Sequence, residues 1–199
     1  MDIKNYTTSD KIYCYSKTNV LKNKLNIKNN NQLEKVERYI TKFRQLDMEK
    51  NIVKGNFDLE HLKLIHKKIF SDIYDFAGEL RKVPISKGKS QFCYPENIET
   101  EGNKIFSKLK ELNYLKNLEK TEFIKKLSEF TGDIIALHPF REGNGRAIRE
   151  FVRILCLNAG YELDYSKTII EKRLEAEIYA FHCNYEKLEK ILEVELEKI

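Results

Sequence analysis

Fifteen residues in the C-terminal half, LHPFREGNGRAIREF (137–151), hold a histidine, two carboxylates, two glycines, an asparagine and three arginines. Pro139 disfavours helical backbone in the residue before it, so His138 stands at a helix exit, where an imidazole can face a cleft. Glu142-Gly143-Asn144-Gly145-Arg146 follows. Gly and Asn accept positive φ, and successive residues of that kind turn backbone N–H groups toward one point. A helix starting there adds its unpaired amides and the positive end of its dipole. The product is an anion-binding concavity. Arg146 and Arg149, three residues apart, emerge on one helical face beside it, and two forked guanidinium groups suit a polyphosphate. Arg153 continues that face by about one turn. Phe140 is expected to anchor the loop and Arg141 to point outward.

A carboxylate repels phosphate, so Glu142 has two roles open to it. It can pair with an arginine of the loop, or it can hold a hard divalent cation against the phosphates. Mg²⁺ takes one or two protein carboxylates plus phosphate oxygens, and the anion site favours this second role. An imidazole a few residues away has the basicity to deprotonate an incoming hydroxyl near neutral pH. The chemistry read from the loop is transfer from a Mg²⁺-bound nucleotide to a hydroxyl. Neither GxxxxGK[ST] nor a strand-first GxGxxG occurs, which separates the loop from the common nucleotide motifs. The other histidines, His61, His66 and His182, read as packing or surface residues.

The elements that must carry this loop are helical. Three prolines and eight glycines in 199 residues leave few breaks. Apolar residues recur at helical spacing in seven stripes. The first four are Leu33, Val36, Ile40 and Phe43; Leu59, Leu62, Ile65 and Ile69, with Asp58 as N-cap; Ile98, Ile105, Leu109 and Leu112; and Phe123, Leu127, Phe130, Ile134 and Leu137. Ile148, Val152 and Leu155 follow the loop and stop at Gly160, placed past the helix end. Leu174, Ile178 and Phe181, then Leu188, Ile191 and Leu192, complete the C-terminal helices at about 168–199. LNIKNNNQ, 25–32, reads as a polar loop. ELRKVPISKGKSQFCYP, 79–95, has β-branched residues, a Lys-Gly-Lys turn and Pro84, which cannot donate to a ladder. It reads as an exposed hairpin with a free edge. The whole chain, 1–199, reads as one all-α domain carrying that hairpin.

Lys and Arg number 36 against 31 Asp and Glu, a net charge of +5. That excess is small and spread along the helices, which argues against a dedicated nucleic-acid binder. Cys14, Cys93, Cys156 and Cys183 lie far apart with no CxxC, so a disulfide or zinc framework is not expected. The start has no apolar leader core, and no run is long enough to span a membrane, so a cytoplasmic protein is expected.

HPFREGNGRAIR, His138 to Arg149, resembles the Fic-family signature HPFx[D/E]GNGRxxR at every specified position. DIYDFAGELRKVPISKG resembles the flap of that family, and the resemblance runs from about Thr18 to the C-terminus. It implies an all-α Fic core with a β-hairpin flap over the active site, and transfer of AMP from ATP to a Ser, Thr or Tyr hydroxyl of a target protein. His138 would be the base and Glu142 the Mg²⁺ ligand. Gly143, Asn144 and Gly145 would bind phosphate through amides and the Asn side chain. Arg146 would contact the phosphates released as pyrophosphate, and Arg149 would hold the terminal one. Ile85, Ser86 and Lys87 would pair with the target as an added strand. The family's inhibitory pattern [ST]xxxE[GN] is nowhere complete in this chain. With the start KTNVLKNKLNI, this resembles bacterial toxins whose inhibitory helix comes from a separate small antitoxin; the alternative is an internal helix that diverges from the pattern. Type II topoisomerase ATP-binding subunits are target candidates by analogy. The alternatives are a nucleotide-binding module without turnover, and a Fic variant that transfers another phosphate-containing group.

Overall fold

The structure, a computed structural model, describes residues 11–88 and 90–199. The first ten residues, where no leader is expected, and Lys89 lie outside the described residues. The helices are α1 Asn30–Lys50, α2 Leu59–Phe70, α3 Ile98–Glu111, α4 Lys120–Leu137, α5 Asn144–Asn158, α6 Ile170–Phe181 and α7 Glu186–Glu195. Two small antiparallel hairpins accompany them. One pairs β1 Ser86–Lys87 with β2 Ser90–Gln91, as the sequence leads one to expect. The other pairs β3 Tyr161–Leu163 with β4 Leu196–Lys198, closing the C-terminus onto the end of α5. Strands this short carry no periodicity, and this second pairing has no counterpart in the sequence reading.

α5 is the central helix. Ala147, Ile148, Phe151, Val152, Ile154, Leu155 and Cys156 are all buried, and the helix packs on α2, α4 and β3. Apolar residues on more than one side mark a helix enclosed by its neighbours. The stripes of α2 and α4 are buried throughout, and Asp58 caps α2 by accepting the His61 N–H at 2.8 Å. Gly160 sits past the end of α5 with φ +88, as its placement there requires. Behind α5, a buried ion pair of Arg173 on α6 with Glu195 on α7 ties the last two helices together.

Three expectations differ. α1 begins at Asn30 with Asn29 as its cap, so the end of the polar 25–32 stretch is helix. The buried face of α1 is Leu33, Glu37, Thr41 and Met48, while Phe43 is 68% and Tyr39 77% exposed. The helix is rotated from its apolar stripe because Glu37 and Thr41 meet polar partners in the interior. α6 shows the same shift: it buries Arg173, Ala176 and Ala180 and leaves Ile178 outside.

Candidate active site

The loop 138–143 runs from the exit of α4 to the start of α5. His138 caps α4 in left-handed backbone, φ 46 and ψ 60, a conformation that is uncommon outside Gly. Arg81 holds it there. This arginine is 2% exposed and spreads its fork over three carbonyls. Its Nε donates to His138 O at 2.8 Å, one terminal nitrogen to Val83 O at 2.8 Å and the other to Cys93 O. The Arg81 N–H donates to Pro139 O at 2.9 Å, and the Cys93 N–H to Ala136 O at 3.1 Å. Both feet of the 79–95 segment are thereby stapled to the loop.

The His138 ring stacks on Phe92 of the same segment, centroids 3.8 Å apart. Its Nδ1 lies 3.2 Å from Ile135 O, an oxygen that can only accept. Nδ1 therefore carries the proton, and Nε2 is the basic nitrogen of the neutral ring. Burial pushes the pKa of His138 down to about 3, with the Arg81 and Lys87 charges adding to the effect. A weakly basic, neutral imidazole results.

His66, read from the sequence as packing or surface, is buried between Phe70 and Phe140. It also positions the loop. Its Nδ1 accepts the Gly78 N–H at 2.9 Å, so Nε2 is the protonated nitrogen and donates to Glu142 O at 2.9 Å. Phe140 is fully buried, as its anchor role requires. Arg141 does not point outward. It is buried, with its guanidinium 6.0 Å from the Tyr13 ring centroid. Arg153 pairs with Glu150 at 2.7 Å and is not part of the loop's open face.

Gly143 precedes α5 with φ 80 and ψ 8, and no side chain caps the helix. The first backbone bond of the new helix runs from Ala147 N–H to Gly143 O. Gly143 gives its own N–H to a Glu142 carboxylate oxygen at 3.0 Å. Asn144 is 1% exposed; its Oδ1 accepts the Phe140 N–H at 2.8 Å, and its Nδ2 donates to Phe140 O at 2.7 Å. That side chain closes the loop on itself. The uncapped first-turn N–H groups of Asn144, Gly145 and Arg146 are the part of the anion cradle that the helix start leaves open.

The guanidinium of Arg149 lies across Gly145, where a Cβ would come within 3.2 Å of it. Arg149 donates to both carboxylate oxygens of Glu177 on α6, at 3.3 and 3.2 Å. Tyr165 O–H donates to Arg149 O at 2.8 Å. Arg146 lies over the Phe70 ring at 4.6 Å and donates to Glu37 at 2.6 Å and Thr41 at 3.2 Å. Its distance to Glu142 is 3.5 Å.

The pKa of Glu142 is raised, first by burial and then by the Glu37 carboxylate. Glu142 and Glu37 share Arg146, and the charges of Arg141 and Lys87 also reach Glu142. Among the described residues no cluster of three or more His, Cys, Asp or Glu side chains could hold a metal alone. One carboxylate plus nucleotide phosphates is the ligand set Mg²⁺ commonly uses, so the residues present fit it.

Ile85, Ser86 and Lys87 are placed unequally. Ile85 is 1% exposed, and its carbonyl accepts from the Phe92 N–H and Gln91 Nε2 at 3.4 and 3.1 Å. Its buried side chain anchors the hairpin. Ser86 and Lys87 form β1, which pairs antiparallel with β2. Burial lowers the pKa of Lys87, whose charge is felt by Glu142 and Glu177. The sequence reading missed Arg81, Phe92, His66, Glu37 and Glu177. Arg81 and Phe92 lie inside the flap-like segment, but Glu37 and Glu177 come from helices far from the loop in sequence.

The family model described as Fic/DOC family matches residues 56–156. Protein adenylyltransferase VbhT of Bartonella schoenbuchensis is 36% identical over 182 residues, 92% of this chain and 38% of that protein. A Sinorhizobium fredii protein named "Probable protein adenylyltransferase y4lH" is 38% identical over 88% of this chain and 91% of its own length. Among solved structures, the BepC effector of Bartonella tribocorum with bound AMPPNP superposes with a TM-score of 0.86 at 26% identity, covering 94% of this chain and 97% of that one. The chain thus spans well under half of the first of these relatives and nearly all of the second.

Proposed function

On the premise that the chain belongs to the Fic/DOC family, we propose that it transfers AMP from ATP to a hydroxyl of a target protein and releases pyrophosphate. The observation that carries this reading is the pairing of an uncapped helix start with a neutral imidazole at one loop. Asn144, Gly145 and Arg146 N–H groups take phosphate oxygens, and Arg146 and Arg149 add charge. To hold the terminal phosphate, Arg149 leaves Glu177 or shares itself with it. Nε2 of His138 accepts the proton of the incoming hydroxyl as its oxygen bonds to the α-phosphorus. The bond from that phosphorus to the bridging oxygen breaks, and pyrophosphate departs. Glu142 would hold Mg²⁺, which neutralises charge on the phosphates when bound. Positioning and electrostatics supply most of the acceleration in such transfers.

The target enters at the flap. Main-chain pairing with β1 at Ser86 and Lys87 is strand addition, which reads backbone more than side chain. No helix of the described residues is long and apolar enough to cross a membrane. The reading places the reaction in the cytoplasm, where ATP is abundant, with a type II topoisomerase ATP-binding subunit as one target and a small antitoxin as regulator.

The test is incubation of the purified chain with bacterial lysate and ATP labelled at the α- or the γ-phosphate. A protein band carrying the α label and not the γ label is expected, with mass spectrometry placing one AMP on a Ser, Thr or Tyr. Retention of the γ label would mean phosphate transfer, and ATP binding without label on any protein would mean a module without turnover.

A further inference from the structure

Arg146 is shared unequally between two acids. Glu142 is its neighbour at i−4 on the loop, at 3.5 Å, while Glu37 on α1 is at 2.6 Å. Such i, i+4 pairs close readily when nothing competes. Here the competitor is built in. Glu37 is 8% exposed, unusual for a carboxylate, and is held in turn by the Tyr74 hydroxyl. Thr41, one turn along α1, takes a second nitrogen of Arg146 at 3.2 Å. The Phe70 ring supports the guanidinium plane from below at 4.6 Å. Three side chains from two helices, Glu37 and Thr41 on α1 and Phe70 on α2, thus converge on Arg146 and orient it. The same contacts explain why α1 turns polar residues inward and leaves Phe43 exposed.

We propose that Glu37 is a positioning residue: it draws Arg146 toward α1 and leaves it only a looser 3.5 Å contact with Glu142, so that the loop presents a pre-aimed guanidinium and a carboxylate held by the Gly143 N–H to a magnesium nucleotide. The proposal rests on the reading above for the identity of the ligand. Without Glu37, Arg146 closes onto Glu142, one charge cancels the other, and both phosphate and cation lose a partner. Groups that orient a metal ligand are typically worth about 10–100-fold in affinity.

The test measures affinity for a non-hydrolysable ATP analogue by titration, with and without Mg²⁺, in Glu37→Gln and wild type. Glu37→Gln keeps the side-chain volume and removes the charge. We expect the gain in affinity that Mg²⁺ brings to shrink by about 10-fold or more in a chain that remains folded by circular dichroism. A purely structural role would lower the melting temperature without changing that ratio. Should Glu37→Gln fail to fold, Tyr74→Phe and Thr41→Val decide: each loosens one contact, and each is expected to move the ratio in the same direction by a smaller factor. An unchanged ratio in folded Glu37→Gln, or in both of the others, overturns the proposal. A chain that binds the magnesium analogue as expected but labels no protein leaves the proposal standing and removes the transfer reading.

Discussion

His138→Ala lowers AMP transfer by about 10²–10⁴-fold, the range for loss of a general acid–base group, while nucleotide affinity stays within a few-fold of wild type. The reason is geometric. The ring sits at the exit of α4 with Nδ1 committed to Ile135 O, so its one basic nitrogen is Nε2, and no amide of the cradle depends on it. Single-turnover label transfer measures the rate, and analogue titration measures the affinity. The pH profile carries a second signature. A base acts while deprotonated, and burial against Phe92 and the field of Arg81 hold this one to a pKa of about 3. The wild-type rate should therefore show no limb from His138 between about pH 5 and 8, where an ordinary histidine titrates. The same shift has a stability cost of opposite reach. The unfolded imidazole binds its proton near pH 6.5 and the folded one only near 3, so stability falls as pH drops through that window. His66, held to about 4 by burial, adds to the fall. A variant that retains transfer within tenfold would remove His138 from the chemistry.

The second large effect is at Gly143. A Cβ there would lie 2.2 Å from the ζ carbon of Phe70, and the backbone stands at φ +80. Left-handed strain and overpacking each cost about 1–3 kcal/mol, so Gly143→Ala should lose about 2–6 kcal/mol in urea unfolding. The loss does not stop at stability. Phe70 is fully buried and carries Arg146 on its ring, so a displaced Phe70 also misplaces the guanidinium. Nucleotide affinity should fall with stability. Adding Phe70→Leu to Gly143→Ala separates the two: part of the stability returns because the clash is relieved, while affinity does not, because the ring under Arg146 is gone. A Gly143→Ala chain with wild-type stability and affinity would contradict this packing.

Local chemistry was legible in the sequence where local rules act. Pro139 fixed the exit of α4 at His138, Asp58 announced the start of α2, and the Gly-Asn-Gly turn announced the start of α5. Long, strongly apolar stripes in α2, α4 and α5 pointed inward as read. What failed depends on partners distant in sequence. Nothing near Glu37 shows that its partner lies 109 residues away, so the apolar stripe of α1 was the only guide, and the polar cluster overrode it. The family resemblance implies phosphate binding by the Asn144 side chain, and its two bonds to Phe140, which close the loop, follow from no local rule. Arg81 lies inside the flap-like segment with no local mark of its role, and only the fold shows its fork spanning the flap and the loop. Glu177 has no local mark at all, being one of several acids along α6.

The central claim is that one loop, between α4 and α5, holds the nucleotide and the base together. A crystal structure with a non-hydrolysable ATP analogue and Mg²⁺ tests it most directly. The account predicts phosphate oxygens at the N–H groups of Asn144, Gly145 and Arg146, the cation at the Glu142 carboxylate, and the α-phosphorus facing Nε2 of His138. A nucleotide bound elsewhere, or phosphates turned away from the start of α5, would contradict it.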